Sequence, residues 1–113
     1  MRKPLYANVD PEAMTHTTHP ELETLRADID VIDTQIVALL ASRFRTTAKI
    51  GQLRARYTLD AVDPQREAAQ EARFRALALA NGLKPELVLR IFRNVIDEVV
   101  NDHRAQVNNR EPL

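Results

Sequence analysis

A single apolar repeat runs through the first half of this chain of 113 residues. Its positions follow one another at alternating steps of three and four residues, which places them along one face of a helix. They are Leu22, Leu25, Ile29, Ile32, Ile36, Leu39, Arg43, Thr46, Ile50 and Leu53. A helix over residues 20–56 would be about 55 Å long, and a compact domain of this size is not that wide. It therefore needs a surface outside its own chain, and we expect that surface to be a second copy.

Two shorter helices are expected after the long one, separated from it by residues 57–62. Asp63 and Pro64 are typical of the N-cap and the first position of a helix, and Asn81-Gly82 is typical of a helix end. A third helix is expected from about Pro85 to about residue 105, because a broad apolar stripe follows that proline. The chain has only two glycines, which leaves little material for hairpin turns. The sequence predicts an all-α fold with three helices per chain, one long and two shorter, in an intertwined helical homodimer.

Both ends of the chain are expected to lie outside this helical domain. Residues 1–19 contain prolines and a polar run without sustained periodicity, which is typical of a disordered N-terminal arm. The helical domain is expected to cover residues 20–106, and residues 107–113 to form a C-terminal tail.

Composition argues against several classes of function. Basic and acidic residues number 16 each, so no net charge would attract nucleic acid or an anionic membrane. The absence of cysteine excludes disulfides and thiolate ligands, and the three histidines are too scattered to suggest a metal site. The sequence has no recognisable signal peptide or membrane-spanning segment. We expect a cytoplasmic protein that needs neither metal nor cofactor and binds neither nucleic acid nor membrane.

Several arginines stand where the helical pattern makes them informative. Arg43 occupies an apolar position of the long repeat, and Arg54, eleven residues later, returns to within about 20° of the same face. Both could simply reach water or pair with carboxylates, but a buried guanidinium requires an anionic partner. Arg26 lies on another face, about 25 Å from Arg43, so it could complete a site only in a partner chain. Its alternative is a surface pair with Glu23 or Asp30.

A second polar group opens the second helix. Asp63, Arg66 and Glu67 are spaced three and four residues apart, so they share one face of its first turn. A helix cap and a solvated surface would explain them equally well if they stood alone. His103 extends the apolar stripe of the third helix, where a packed or surface histidine is the ordinary interpretation.

Taken together, these residues make the sequence resemble the all-helical class of chorismate mutases. The likeness extends over about residues 22–106 without a gap, and its specificity comes from the joint order and spacing of short motifs. These are Leu25-Arg26-x-x-Ile29-x-x-Ile32-Asp33, Leu39-Leu40-Ala41-x-Arg43, Ile50-Gly51, Asp63-x-x-Arg66-Glu67 and Ile91-Phe92-x-x-Val95-Ile96.

The resemblance implies a role for each polar position. An arginine like Arg26 enters the site of the opposite protomer, and arginines like Arg43 and Arg66 grip the substrate carboxylates or support that grip. A residue like Asp63 binds the ring hydroxyl, and one like Glu67 positions that hydroxyl or a neighbouring cation. The implied reaction is the Claisen rearrangement of chorismate to prephenate in phenylalanine and tyrosine biosynthesis, by a monofunctional short form without an appended regulatory or dehydratase domain.

Three positions depart from the family pattern. Arg54 stands where a lysine commonly reaches the ether oxygen, His103 where glutamine or glutamate is usual, and Val99 where the substrate site usually has serine. We expect Arg54 and His103 to stabilise the negative charge that gathers on the ether oxygen, with the imidazolium form of His103 the stronger donor. These departures bear on the rate, the pH dependence and the identity of the substrate.

Two other enzymes and one non-enzyme remain as alternatives. An isochorismate pyruvate lyase, or a mutase for an amino analogue of chorismate, would share the fold, although the carboxylate pair Asp63 and Glu67 favours the mutase. A helical dimerisation or regulatory module would explain the long repeat. It would not explain why Arg43 interrupts that repeat.

Overall fold

A computed structural model describes residues 19–60 and 62–110, with side chains as far as residue 105, and forms three helices there. Helix α1 covers Pro20–Arg56, α2 covers Pro64–Ala80 and α3 covers Pro85–Arg110. These residues contain no strand, so the all-α prediction is confirmed. Helix α3 continues past the expected end near residue 105 into the first residues of the predicted tail. The predicted arm lies outside the described residues except for His19, and no described helix is long and apolar enough to cross a membrane.

Local sequence signals account for both ends of α2. The backbone of Asp63 is extended, with φ −126° and ψ 99°, and its Oδ1 accepts a hydrogen bond from the Arg66 amide at 3.2 Å. This is the side-chain cap that an aspartate followed by proline predicts. At the other end Gly82 has φ +70°, and the amides of Gly82 and Leu83 donate to carbonyls of the last turn at 3.2 and 2.8 Å. The pattern is a Schellman motif, whose left-handed position favours glycine.

Helix α1 ends in the same motif but with a threonine at the left-handed position. Thr58 has φ +55°, and the Leu59 amide donates to the Arg54 carbonyl at 2.7 Å. A β-branched residue is strained at positive φ, because its Cβ crowds the adjacent backbone. The geometry therefore stores strain at the start of the loop that leads to Asp63.

The described chain divides into two compact units at Leu40 and Ala41. In the first unit the repeat residues of α1 are largely uncovered, and the exposed fraction is 61% for Leu25 and 69% for Leu39. An isolated helix gains little from such a face, since most helical stability in proteins comes from packing an apolar face against a partner.

The second unit, from Ala41 onward, contains the rest of α1 together with α2 and α3. Phe74 and Ala78 of α2 are buried against Val88 of α3. The partly buried residues that pack on them are Leu89, Phe92 and Ile96. On α1, Gly51 and Ala55 are buried. The core of this unit is thus small, and it lies mainly between α2 and α3.

Candidate active site

A cavity of about 280 Å³ opens in the second unit, where the end of α1, the start of α2 and the later part of α3 meet. Its walls carry most of the residues that the sequence singled out. The predicted residues among them are Arg43, Arg54, Asp63, Arg66, Glu67, Val99 and His103. Seven of the eight predicted site residues therefore line one concave surface, although they come from three helices and span 61 positions of sequence from Arg43 to His103.

Arg43 is one of two partly buried cations in the wall of this cavity, together with Arg54. Its guanidinium carbon lies 5.6 Å from the centroid of the Phe92 ring, which is within the range of a cation–π contact. Burial, and after it the nearby Arg66 guanidinium, lowers the pKa of Arg43. Because a guanidinium keeps its proton at any ordinary pH, both positive charges are present in the cavity wall. An anion that entered between them would relieve both the desolvation and the repulsion.

Asp63 serves as the helix cap and also lines the cavity. One carboxylate oxygen accepts from the Arg66 amide, and the Glu67 amide donates to the Asp63 carbonyl at 3.0 Å. The prediction that Asp63 caps α2 is therefore confirmed. A carboxylate has two oxygens and several acceptor positions, so the cap leaves Asp63 able to accept a further hydrogen bond from a ligand.

Arg54 borders the same cavity as Arg43, as their spacing on α1 predicted. Its guanidinium donates a hydrogen bond to the main-chain carbonyl of Asp60 in the following loop. That bond uses one of five N–H donors, and the carbonyl, which has no net charge, does not neutralise the guanidinium. Among the side chains that the structure describes, no carboxylate lies within 4 Å of Arg43, Arg54 or Arg66. The simple alternative, in which these cations pair with the protein's own acids, is not what the described residues show.

His103 is buried, with 5% of its surface exposed, and its Nε2 lies 2.8 Å from the main-chain carbonyl oxygen of Thr47. A carbonyl only accepts, so Nε2 carries the hydrogen and donates it. A neutral imidazole has one N–H, so Nδ1 of the neutral ring is an acceptor. The sequence-based view of His103 as a packed residue is supported by this burial, while its place in the cavity wall keeps a role toward a ligand open. Val99, one turn earlier, adds an apolar side chain to the wall.

Comparison with known proteins identifies the family of the chain that forms this cavity. The profile described as "Chorismate mutase type II" matches residues 25–104. The chain belongs to the chorismate mutase type II family. It is also 38% identical over 78 residues to a protein named "T-protein" from Enterobacter agglomerans, a match that covers 69% of this chain. The chain spans only 21% of the length of that relative.

The segment that matches the chorismate mutase type II family contains all eight predicted site residues, from Arg26 to His103. Arg26 is the one that does not line the cavity. Its guanidinium pairs with Glu23 on the preceding turn of α1 at 3.3 Å, with both side chains about half exposed. This is the surface pair considered as the alternative from sequence. An exposed pair of this kind contributes at most about 1 kcal/mol, so a stronger anionic partner could displace it readily.

Other contributors to this chorismate mutase type II cavity were not identified from the sequence. Gln70 lines it and lies four and three residues after Arg66 and Glu67, so helical spacing could have included it. Thr47 acts through its main-chain carbonyl, which the residue type does not reveal. Phe92 lies outside the cavity lining but acts on it through Arg43, because its ring faces that guanidinium; the motif Ile91-Phe92-x-x-Val95-Ile96 does not indicate this contact.

Proposed function

We propose that this chain is a chorismate mutase, which rearranges chorismate to prephenate in aromatic amino acid biosynthesis. The observation that carries the proposal is the convergence of three guanidinium groups and two carboxylates on one cavity of about 280 Å³. Chorismate carries two carboxylates and a ring hydroxyl, and that cavity offers cations for the first and an acceptor for the second. Membership of the chorismate mutase type II family supports the same substrate.

The reaction needs only binding, orientation and charge stabilisation. A C–O bond breaks as a C–C bond forms within one molecule, without proton transfer or a covalent intermediate. Arg43 and Arg66 would hold the carboxylates by forked hydrogen bonds and thereby select the compact conformer in which the two carbons can react. Asp63 would accept from the ring hydroxyl, and Glu67 would position that hydroxyl or a neighbouring arginine.

As the C–O bond stretches, negative charge gathers on the ether oxygen. Arg54 would be the main donor to it, since its guanidinium borders the cavity and is fixed by the Asp60 carbonyl. Donors held in place before the reaction stabilise this charge more than they stabilise the bound substrate, and that difference accelerates the reaction. The Nδ1 of His103 could donate as well, but only when the ring is doubly protonated.

The proposal includes an intertwined homodimer that shares its sites. Five of the six repeat residues of α1 before Leu40 are exposed in the single chain, and a second copy would cover them. In such a dimer Arg26 of each chain would leave its exposed pair with Glu23 and bind a substrate carboxylate in its partner's cavity. The dimer would form from residues 20–106. We expect it to work in the cytoplasm, because it would be a biosynthetic enzyme.

Chorismate turnover tests the proposed activity. Purified protein is incubated with chorismate, the loss of its absorbance is followed, and the product is identified. Isochorismate and an amino analogue of chorismate serve as parallel substrates. We expect prephenate from chorismate, and no turnover of any of the three would favour a helical module. The Arg43→Ala variant should lose activity while its circular dichroism stays helical, and Arg45→Ala, an exposed arginine on the same helix, should remain active.

Mixed dimers test the shared site. Arg26→Ala and Arg43→Ala should each be inactive alone, but each heterodimer would pair one normal Arg26 with one normal Arg43 in a single cavity. Random mixing by co-expression would then restore about a quarter of the wild-type sites, because half of the dimers are mixed and each has one intact site. An inactive mixture would contradict sharing between subunits.

A further inference from the structure

The Arg43 guanidinium lies over an aromatic ring, and that ring stacks on a second one. The Phe92 ring under its guanidinium is stacked on Phe74, with ring centroids 4.2 Å apart and an interplanar angle of 16°. Phe74 belongs to the buried core with Ala78 and Val88. A continuous stack therefore runs from a buried position on α2, through α3, to a cation on α1.

The choice of an aromatic partner matters for the charge. A carboxylate next to Arg43 would hold the side chain but would also neutralise it and compete with any incoming anion. A ring face attracts a cation through its quadrupole, which carries no net charge and occupies no N–H donor. Within residues 19–60 and 62–105 Arg43 has no carboxylate within 4 Å, whereas its guanidinium lies over the face of the Phe92 ring.

We propose that Phe92, supported by Phe74, is a positioning residue that keeps the Arg43 guanidinium in the cavity wall with its charge and its hydrogen-bond donors available to the substrate. This rests on the proposed function for the identity of the anion. Without the ring, the long arginine side chain would turn toward water, where a guanidinium is better solvated. Substrate binding would then have to fix the conformation of the Arg43 side chain, at a cost in conformational entropy that the ring now removes before binding.

Fluorinated phenylalanines at position 92 test the electrostatic part of this proposal. Successive fluorine atoms weaken the negative face of the ring while changing its size little, so the cation contact weakens in steps. We expect kcat/KM for chorismate to fall stepwise by about threefold to tenfold in total, mainly through a higher KM. The same series at position 74 is the matched control, since that ring touches Phe92 but not the cation. A flat series at position 92, or equal gradients at both positions, would overturn the proposal.

A measurement without substrate keeps this test separate from the proposed activity. The NMR signal of the Arg43 Nε–H should carry a ring-current shift in the free protein. Phe92→Leu should abolish that shift, and Phe92→Tyr should retain it. Phe74→Leu should lower thermal stability but leave most of the ring-current shift. An Arg43 signal that is the same in Phe92→Leu would refute the positioning role even if chorismate is turned over. A wild-type protein that shows the shift but no turnover would refute the proposed activity and leave the positioning intact.

Discussion

Replacing Thr58 by glycine should stabilise the protein. Thr58 is the left-handed residue that ends α1, with φ +55°, and that conformation costs a residue with a Cβ about 1–2 kcal/mol. Glycine adopts it freely but loses more conformational entropy on folding, which reduces the gain in the free energy of unfolding by about 0.5–1 kcal/mol. The Thr58 side chain is exposed, so its removal sacrifices little packing. The expected net gain is about 0.5–1 kcal/mol, or a rise in Tm of a few degrees for a domain of this size.

The opposite substitution, from glycine to a residue with a Cβ, can be made at Gly82. It holds the equivalent position at the end of α2 with φ +70°, and a Cβ added there would meet nothing within 4 Å. Gly82→Ala therefore isolates the backbone cost, and we expect it to lower stability by about 1 kcal/mol. Both variants are compared with wild type by circular dichroism during thermal and urea unfolding, at one fixed protein concentration because association would shift the midpoint. A destabilised Thr58→Gly, or a neutral Gly82→Ala, would refute the account of these two helix ends.

Three further predictions concern the site and the exposed helix face. Asp63→Asn should keep the cap of α2 and nearly all stability but lose activity, whereas Asp63→Ala should lose both activity and about 1 kcal/mol of stability; equal melting curves for the two would remove the cap from the explanation. The pH–rate profile of His103→Gln should differ from that of wild type, because glutamine keeps a hydrogen-bond donor at this position but has no titratable group; pH–rate profiles that superimpose would exclude His103 as a donor. Ile32→Asp should convert the proposed dimer to monomers in analytical ultracentrifugation, while Thr34→Asp, an exposed position on the opposite face of the same helix, should not.

Features that depend on a few neighbouring residues were predictable from the sequence. Asp63-Pro64 and Asn81-Gly82 marked the ends of α2 correctly because capping and left-handed glycine are local effects. Helical spacing together with the family resemblance also grouped the residues of the cavity. Arg54 is an example, since its eleven-residue step from Arg43 placed both on one face.

Features that depend on how helices pack were not predictable. The partner of His103 is a main-chain carbonyl, and every residue has one, so nothing in the sequence distinguishes Thr47. The contact between Arg43 and Phe92 requires the relative placement of α1 and α3. Thr58 takes a conformation that its own side chain disfavours, because the closing hydrogen bonds of the helix end impose it.

The double use of Asp63 has an evolutionary consequence. The carboxylate that starts α2 also lines the cavity, so replacing Asp63 by a residue that cannot cap a helix would change the proposed binding position and weaken α2 at the same time. If Asp63 binds substrate as proposed, a change of substrate preference at this position would favour asparagine or serine, which can still begin the helix, over most other residues. The geometry of one hydrogen bond thus narrows the paths by which a new specificity could arise.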